Sequence, residues 1–266
     1  MYNFIYRTVV NNNLIQYEQK GATNVKQLNF IGIGGATTIE LGGNCCYIKN
    51  NNNLLIIDVC EEATKKLLNT SAFNNINKIY IILTHTHYDH IAGLGVLLWY
   101  SNFYLNKTPQ IVYNNEAYKQ SLIELLRITG VTDKFYNFIN EKSLNFDFSV
   151  NMQPTSHVSY LQCFGIMFKD EFGKYYYTGD TKDIDYIRKL STDEVIKTIY
   201  CEVAEETYDV HIKYEDIMDL DKNKLILMHF DTYRLYKRAI KDGFRIAQMA
   251  KTNKTKVSSK TQNPYL

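Results

Sequence analysis

Thr84-His85-Thr86-His87-Tyr88-Asp89-His90 puts four potential metal ligands, His85, His87, Asp89 and His90, within six consecutive positions. The run begins where an apolar stretch, Lys78–Leu83, ends, and that stretch reads as a short β-strand. A strand end followed by a tight loop can aim closely spaced side chains at one point. Three imidazoles and a carboxylate drawn away from water need other polar partners or a cation. A lone loop histidine is ordinarily a solvated polar residue. A His-x-His-x-Asp-His cluster at a strand-to-helix junction reads instead as a metal site.

Outward from this run, short segments rich in Ile, Leu and Val alternate with Gly and Asn clusters. Strands are predicted at Leu28–Ile33, Cys45–Lys49, Leu54–Val59, Gln110–Tyr113, Asn145–Met152, Leu161–Lys169, Lys174–Thr178, Thr198–Val203 and Lys224–Met228. Helices are predicted at Ile91–Phe103, Glu116–Ile128, Lys182–Leu190, Tyr214–Leu220 and Tyr233–Lys241. Strand runs mixed with helices imply an α/β protein with sheets covered by helices. No internal repeat is visible. Residues 1–250 are expected to form a single domain. The stretch 251–266 carries four lysines and no acid, and is expected to be a basic, disordered tail.

The 266 residues suffice for one large core, and 45% hydrophobic with 22% charged residues is ordinary for a globular chain. A net charge of +2 gives no strong nucleic-acid signature. Five cysteines without a Cys-x-x-Cys pair point to a reducing compartment and no disulfide framework. Cys45 and Cys46 read as small core residues. Met1–Val10 lacks the pattern of a secretory signal, and no apolar run is long enough to span a membrane. A cytoplasmic location is therefore expected, that of the host if the chain is phage-encoded.

The His85-x-His87-x-Asp89-His90 run resembles the signature of the metallo-β-lactamase superfamily, whose fold is an αββα sandwich with metals at one edge of two packed sheets. Further motifs appear in the family's order. Asp58 ends Leu54-Leu55-Ile56-Ile57-Asp58. His157 ends Pro154-Thr155-Ser156-His157. Asp180 follows Gly179, and His229 lies in Leu227-Met228-His229-Phe230. The resemblance implies two divalent cations. His85, His87 and His157 would hold one, Asp89, His90 and His229 the other, with Asp180 bridging. Asp58 would support the ligands from outside. A donor set of imidazoles and carboxylates without thiolate suits zinc first, with manganese, iron or cobalt as alternatives.

Two such cations make hydrolysis the expected chemistry. The sixth histidine, His211, follows a strand carrying Glu202. That arrangement is similar to the ribonuclease Z branch, and it implies that His211 protonates a leaving oxygen, with Glu202 orienting it and Asp89 acting on the water. The tRNA-gripping arm of that branch has no room here, because His157 and Asp180 stand only 23 positions apart. The Ser-Thr that often follows the acid histidine is replaced by Ile212-Lys213. The chain is more similar to the compact anti-Pycsar phosphodiesterases of phages and bacteria. That resemblance implies a homodimer hydrolysing small 3′,5′-cyclic nucleotides and so countering cyclic-nucleotide immune signalling. A tRNA 3′ endonuclease, a carbonyl hydrolase such as a lactonase, and a cyclic-nucleotide sponge on the same fold are the alternatives.

Overall fold

A computed structural model describes residues 28–206 and 208–250. The expected tail, 251–266, lies outside the described residues. Twelve strands form two six-stranded sheets in the orders β1-β2-β3-β4-β5-β6 and β12-β11-β10-β9-β8-β7. The first holds β1 (Asn29–Gly32), β2 (Cys45–Asn50), β3 (Asn53–Ile57), β4 (Lys78–Ile82), β5 (Gln110–Tyr113) and β6 (Asn137–Asn140). The second holds β7 (Ser149–Pro154), β8 (Phe164–Asp170), β9 (Gly173–Tyr177), β10 (Ile196–Val203), β11 (Leu225–Phe230) and β12 (Arg245–Ile246). In each sheet three antiparallel strands lead into a parallel series. The two sheets therefore share one strand order, although the sequence carries no detectable repeat.

Local chemistry sets the turns. Between β2 and β3, Asn51 and Asn52 take φ of 47° and 61°, a left-handed pair that asparagine tolerates and a tight hairpin requires. Between β8 and β9, Asp170 Oδ1 accepts from the Phe172 and Gly173 amides at 2.8 and 3.1 Å, closing the Asp-Glu-Phe-Gly turn. β3 and β4 read Asn-Leu-Leu-Ile-Ile and Lys-Ile-Tyr-Ile-Ile, almost wholly buried, as central parallel strands covered on both faces must be.

The sheets face one another across a continuous core. Phe30 of β1 packs on Tyr177 of β9 and Tyr200 of β10, with ring centroids 6.5 and 5.7 Å apart. Asn44 Nδ2 donates to the Tyr177 hydroxyl at 2.7 Å, so the phenol is satisfied inside the interface. Cys45 and Cys46 are fully buried there as free thiols. Helices α1 (Glu61–Leu68), α3 (Leu94–Phe103) and α4 (Glu116–Ile128) lie with the first sheet, and α5 (Ile184–Thr192) and α6 (Tyr233–Lys241) with the second. The two layers of sheet between two layers of helix are the αββα sandwich.

Several elements differ from the sequence prediction. The helix predicted over Ile91–Phe103 is two: α2 (Tyr88–Ile91) and α3, separated at Ala92–Gly93. The break lets the Gly93 amide donate to the Val59 carbonyl at 2.7 Å, and a Cβ at Gly93 would lie 1.9 Å from Thr64 Oγ1. The predicted helix Tyr214–Leu220 is a 3-10 turn, Tyr214–Ile217, because the chain there is held by a bridge from Lys213 to Ala204. The strand predicted over Asn145–Met152 starts only at Ser149, and that over Leu161–Lys169 only at Phe164. α1, β6 and β12 were not predicted. The α1 N-cap is Cys60, whose Sγ accepts from the Ala63 amide, so the usual hydroxyl or carboxylate start signal is missing.

Candidate metal centre

The strand ends at one edge of the sandwich each deliver a polar side chain. Asp58 follows β3, the β4–α2 turn brings His85 and His87, and the first turn of α2 brings Asp89 and His90. His157 comes from the β7–β8 loop, Asp180 follows β9, Glu202 is in β10, and His229 is in β11. Three of these termini leave ordinary strand geometry. Asp58 and His229 take left-handed φ of 58° and 50°, costly for residues with a Cβ, and Gly179, before Asp180, has φ 58°. Any Cβ at Gly179 would meet the Phe164 carbonyl oxygen at 2.5 Å. In β11, Met228 pairs with Glu202 and Phe230 with Val203, which leaves His229 as the extra residue of a bulge that turns it into the site.

The donors converge. His87 Nδ1 lies 2.9 Å from His85 Nε2 and 3.1 Å from His157 Nε2. His90 Nε2 lies 3.3 Å from Asp89 Oδ2, and His229 Nε2 lies 3.6 Å from the same oxygen. Asp180 stands between these two groups. Its Oδ2 is 3.8 Å from His85, 3.9 Å from His157 and 3.4 Å from His90, and its Oδ1 is 3.5 Å from His229.

The outer atoms decide the protonation of the inner ones. His157 Nδ1 donates to the Val210 carbonyl at 2.7 Å, and His90 Nδ1 to Asp58 Oδ2 at 2.9 Å. Carbonyl and carboxylate oxygens can only accept, so Nε2 of each neutral ring presents a lone pair inward. Asp58 also accepts from the Thr84 amide and hydroxyl. His90 Nε2, His229 Nε2 and Asp180 Oδ1 are buried without a hydrogen-bond partner. Orphaned buried lone pairs aimed at one another are costly as they stand and fit a cation between them. The residues present therefore suit a pair of divalent metal sites, one of them His85, His87 and His157, the other Asp89, His90 and His229, with Asp180 able to serve both.

Electrostatics agree. Burial opposes a charge on His229, but Asp180, Asp89 and Glu202 push its pKa up to about 10. Burial likewise resists ionisation of Asp89 and Asp180, yet the facing imidazoles of His229 and His90 hold both carboxyls far below the usual range. Burial, with His90 beside it, pushes His85 well down. A field that would hold a proton on His229 equally favours a metal ion.

His211 and Glu202 meet beside this centre. Glu202, fully buried, accepts from His211 Nδ1 at 2.9 Å and from the Thr181 amide at 2.6 Å. One His211 nitrogen lies within 4.8 Å of donor atoms of His157 and Asp180. All ten residues singled out in the sequence thus lie at one edge of the sandwich. They border or underlie a cavity of about 490 Å³. Sequence reasoning missed Asp231, whose Oδ2 accepts from the Glu205 and Glu206 amides and anchors the loop leading to His211. It also missed Tyr160 and Tyr208 on the cavity wall. Asp231 stands two positions after His229, a spacing that gives no signal of its own.

Known proteins match this architecture. The family model described as anti-Pycsar protein Apyc1 matches residues 26–253. The anti-Pycsar protein Apyc1 of Bacillus phage BSP38 is 22% identical over 228 residues, covering 77% of this chain and 88% of its own. Among solved structures, the metallo-β-lactamase fold protein YhfI from Bacillus subtilis superposes with a TM-score of 0.65 at 18% identity, over 85% of this chain and 97% of that one. Human tRNase Z, short form, gives a TM-score of 0.56 at 16% identity, over 85% of this chain and 99% of that one. At such identities the two structures speak for the fold alone. With a family model spanning the whole described region and the donor set in place, the chain belongs to the anti-Pycsar Apyc1 family and carries the metallo-β-lactamase fold.

Proposed function

We propose that this protein is a dinuclear metal-dependent phosphodiesterase that opens 3′,5′-cyclic nucleotides to nucleoside monophosphates and so counters cyclic-nucleotide antiphage signalling. The observation that carries the reading is the His211–Glu202 pair beside the double ligand cluster. A carbonyl hydrolase has no evident use for it, whereas a phosphodiester with a poor alkoxide leaving group needs a proton donor. Two divalent cations, zinc first, would polarise the phosphoryl oxygens and make an attacking water acidic.

The protein's own groups supply the rest. Asp89 orients the water. His211 gives its proton to the departing 3′ oxygen. Burial works against a charge on that ring, but the Glu202 carboxylate beside it raises the His211 pKa above the ordinary imidazole value, which favours the acid form. Among the described residues lining the cavity none is Lys or Arg, while Glu206 and Asp231 join the acidic ligands. That wall suits a substrate with a single phosphate charge and repels a polyanion such as tRNA. The β8–β9 hairpin occupies the stretch where an RNA-gripping arm would have to be inserted. No described helix is long and apolar enough to cross a membrane. A homodimer working in the host cytoplasm completes the proposal.

The test is a hydrolysis panel of cyclic mono- and dinucleotides, with precursor tRNA and a lactone as comparisons, in zinc, manganese and cobalt. His211→Ala should retain its metal content and lose about 10²–10⁴-fold in kcat towards cyclic nucleotides. Unchanged turnover in that variant would remove the proton-donor role. Cleavage of tRNA but of no cyclic nucleotide would replace the substrate class.

A further inference from the structure

Two large aromatic side chains at the cavity are mostly exposed. Tyr160, in the β7–β8 loop, is 74% exposed, and Tyr208, in the loop after β10, is 85% exposed. Both line the cavity that holds the ligand cluster. Tyr160 sits at the first metal-ligand group, its hydroxyl 3.4 Å from His87 Nε2 and its ring centroid 6.1 Å from that of His87. What sets these two apart from the other exposed aromatics is that both stand on the wall of the cavity with the ligand cluster, where their faces are open to a ligand.

The Tyr208 loop is shaped to hold its ring out. Its base is closed by the Ala204–Lys213 bridge and by the Glu205 and Glu206 amides on Asp231. Val210 is tied to His157. Between these anchors Tyr208 and Asp209 take φ of 42° and 62°, two consecutive left-handed residues neither of which is glycine. The cavity lining also includes the apolar or small Val158, Val210, Ala204 and Ala36. With no Lys or Arg among the described lining residues, and with the acidic Glu206 and Asp231 among them, the part of a ligand beyond its phosphate has no cationic side chain to hold it.

We propose that Tyr160 and Tyr208 form an aromatic clamp that holds the planar base of a nucleotide whose phosphate sits at the His/Asp cluster. The clamp rests on the small-nucleotide reading above and adds how such a substrate is gripped and selected. Stacking on a phenol face reads flatness rather than hydrogen-bond pattern, so purine and pyrimidine nucleotides should both be accepted. Purines, with the larger face, should bind more tightly.

The decisive measurement is a ratio that needs no turnover. Calorimetric affinities of adenosine 5′-monophosphate and of ribose 5-phosphate are compared on the zinc-loaded full chain. The wild type should prefer the nucleotide by roughly 5- to 150-fold, the range expected for one stacked base. Tyr160→Ala and Tyr208→Ala should each remove most of that preference while ribose 5-phosphate still binds, which also shows that the variant is folded and loaded. Tyr160→Phe and Tyr208→Phe should keep it. Equal wild-type affinities, an undiminished ratio in the alanine variants, or phenylalanine variants as impaired as the alanine ones would each overturn the clamp. An intact ratio in a protein that hydrolyses no cyclic nucleotide would retain the clamp and overturn the substrate reading.

Discussion

Asp58 is fully buried, sits in a left-handed conformation, and contacts Thr84 and His90. Its work is to fix the tautomer and orientation of His90 and so point that ring's Nε2 at Asp89 and Asp180. Asp58→Asn removes the charge and presents an amide in place of one carboxylate oxygen. The expected result is a loss of about 10–100-fold in affinity for the cation at His90, read by competition with a chelator, with the fold retained by circular dichroism. At this scale much could be read in advance. Imidazole and carboxylate ligands are few residue types at short, fixed spacings, and Asp58, His157, Asp180 and His229 each fell at the end of an apolar run. The tyrosines at the cavity could not be chosen from the sequence. The chain has 22 of them, and what separates Tyr160 and Tyr208 from buried Tyr175 or Tyr177 is exposure, which only the tertiary structure sets.

Among elements, the strands with unbroken apolar runs, β3, β4 and β11, were legible, because burial on both faces leaves a simple pattern. β6 was not. Asn137-Phe138-Ile139-Asn140 is short, half polar and only partly buried, and it becomes a strand by pairing parallel to β5. The connection from β6 to β7 carries a buried carboxylate, Glu141, which accepts from the Met152 amide. Burial pushes its pKa up, against the opposing effects of the Met152 amide and Lys142. The sign follows from linkage. The unfolded glutamate, with a pKa of about 4.3, loses its proton first, so stability is greatest below that pH and falls as pH rises through the raised folded value. Glu141→Gln keeps an acceptor for Met152 and removes the titration. The variant should therefore gain in urea midpoint relative to wild type between pH 4 and pH 7. An unchanged difference across that interval would show that Glu141 titrates normally.

Over the whole molecule, the candidate cation ligands are divided between the two sheets. His85, His87, Asp89 and His90 belong to the first half of the chain, and His157, Asp180 and His229 to the second. Bound cations would tie the halves together at an edge where Phe230 also bonds to Ile33 and Gly35. Ligands that bind only the folded state stabilise by RT ln(1 + [L]/Kd), about 4 kcal/mol at a free concentration 1,000 times Kd. At roughly 2–4 °C per kcal/mol, each site filled to that degree is worth about 8–16 °C, so stripping the metals by dialysis against a chelator should lower Tm by at least about 10 °C, and zinc should restore it. A Tm indifferent to the chelator would mean that the cluster holds no cation in solution.

The shared strand order of the two sheets gives the segment between β6 and β7, residues 141–148, a particular standing. Among the described residues it is the one crossing from the first sheet to the second, and it holds none of the candidate ligands. Cutting there parts the donors four against three, so neither piece can chelate fully by itself. Co-expressed as separate polypeptides, the pieces should recover cation uptake only on reassociation, which gel filtration with metal analysis would register. Chelation in this protein would then double as a sensor of whether its own two halves have met.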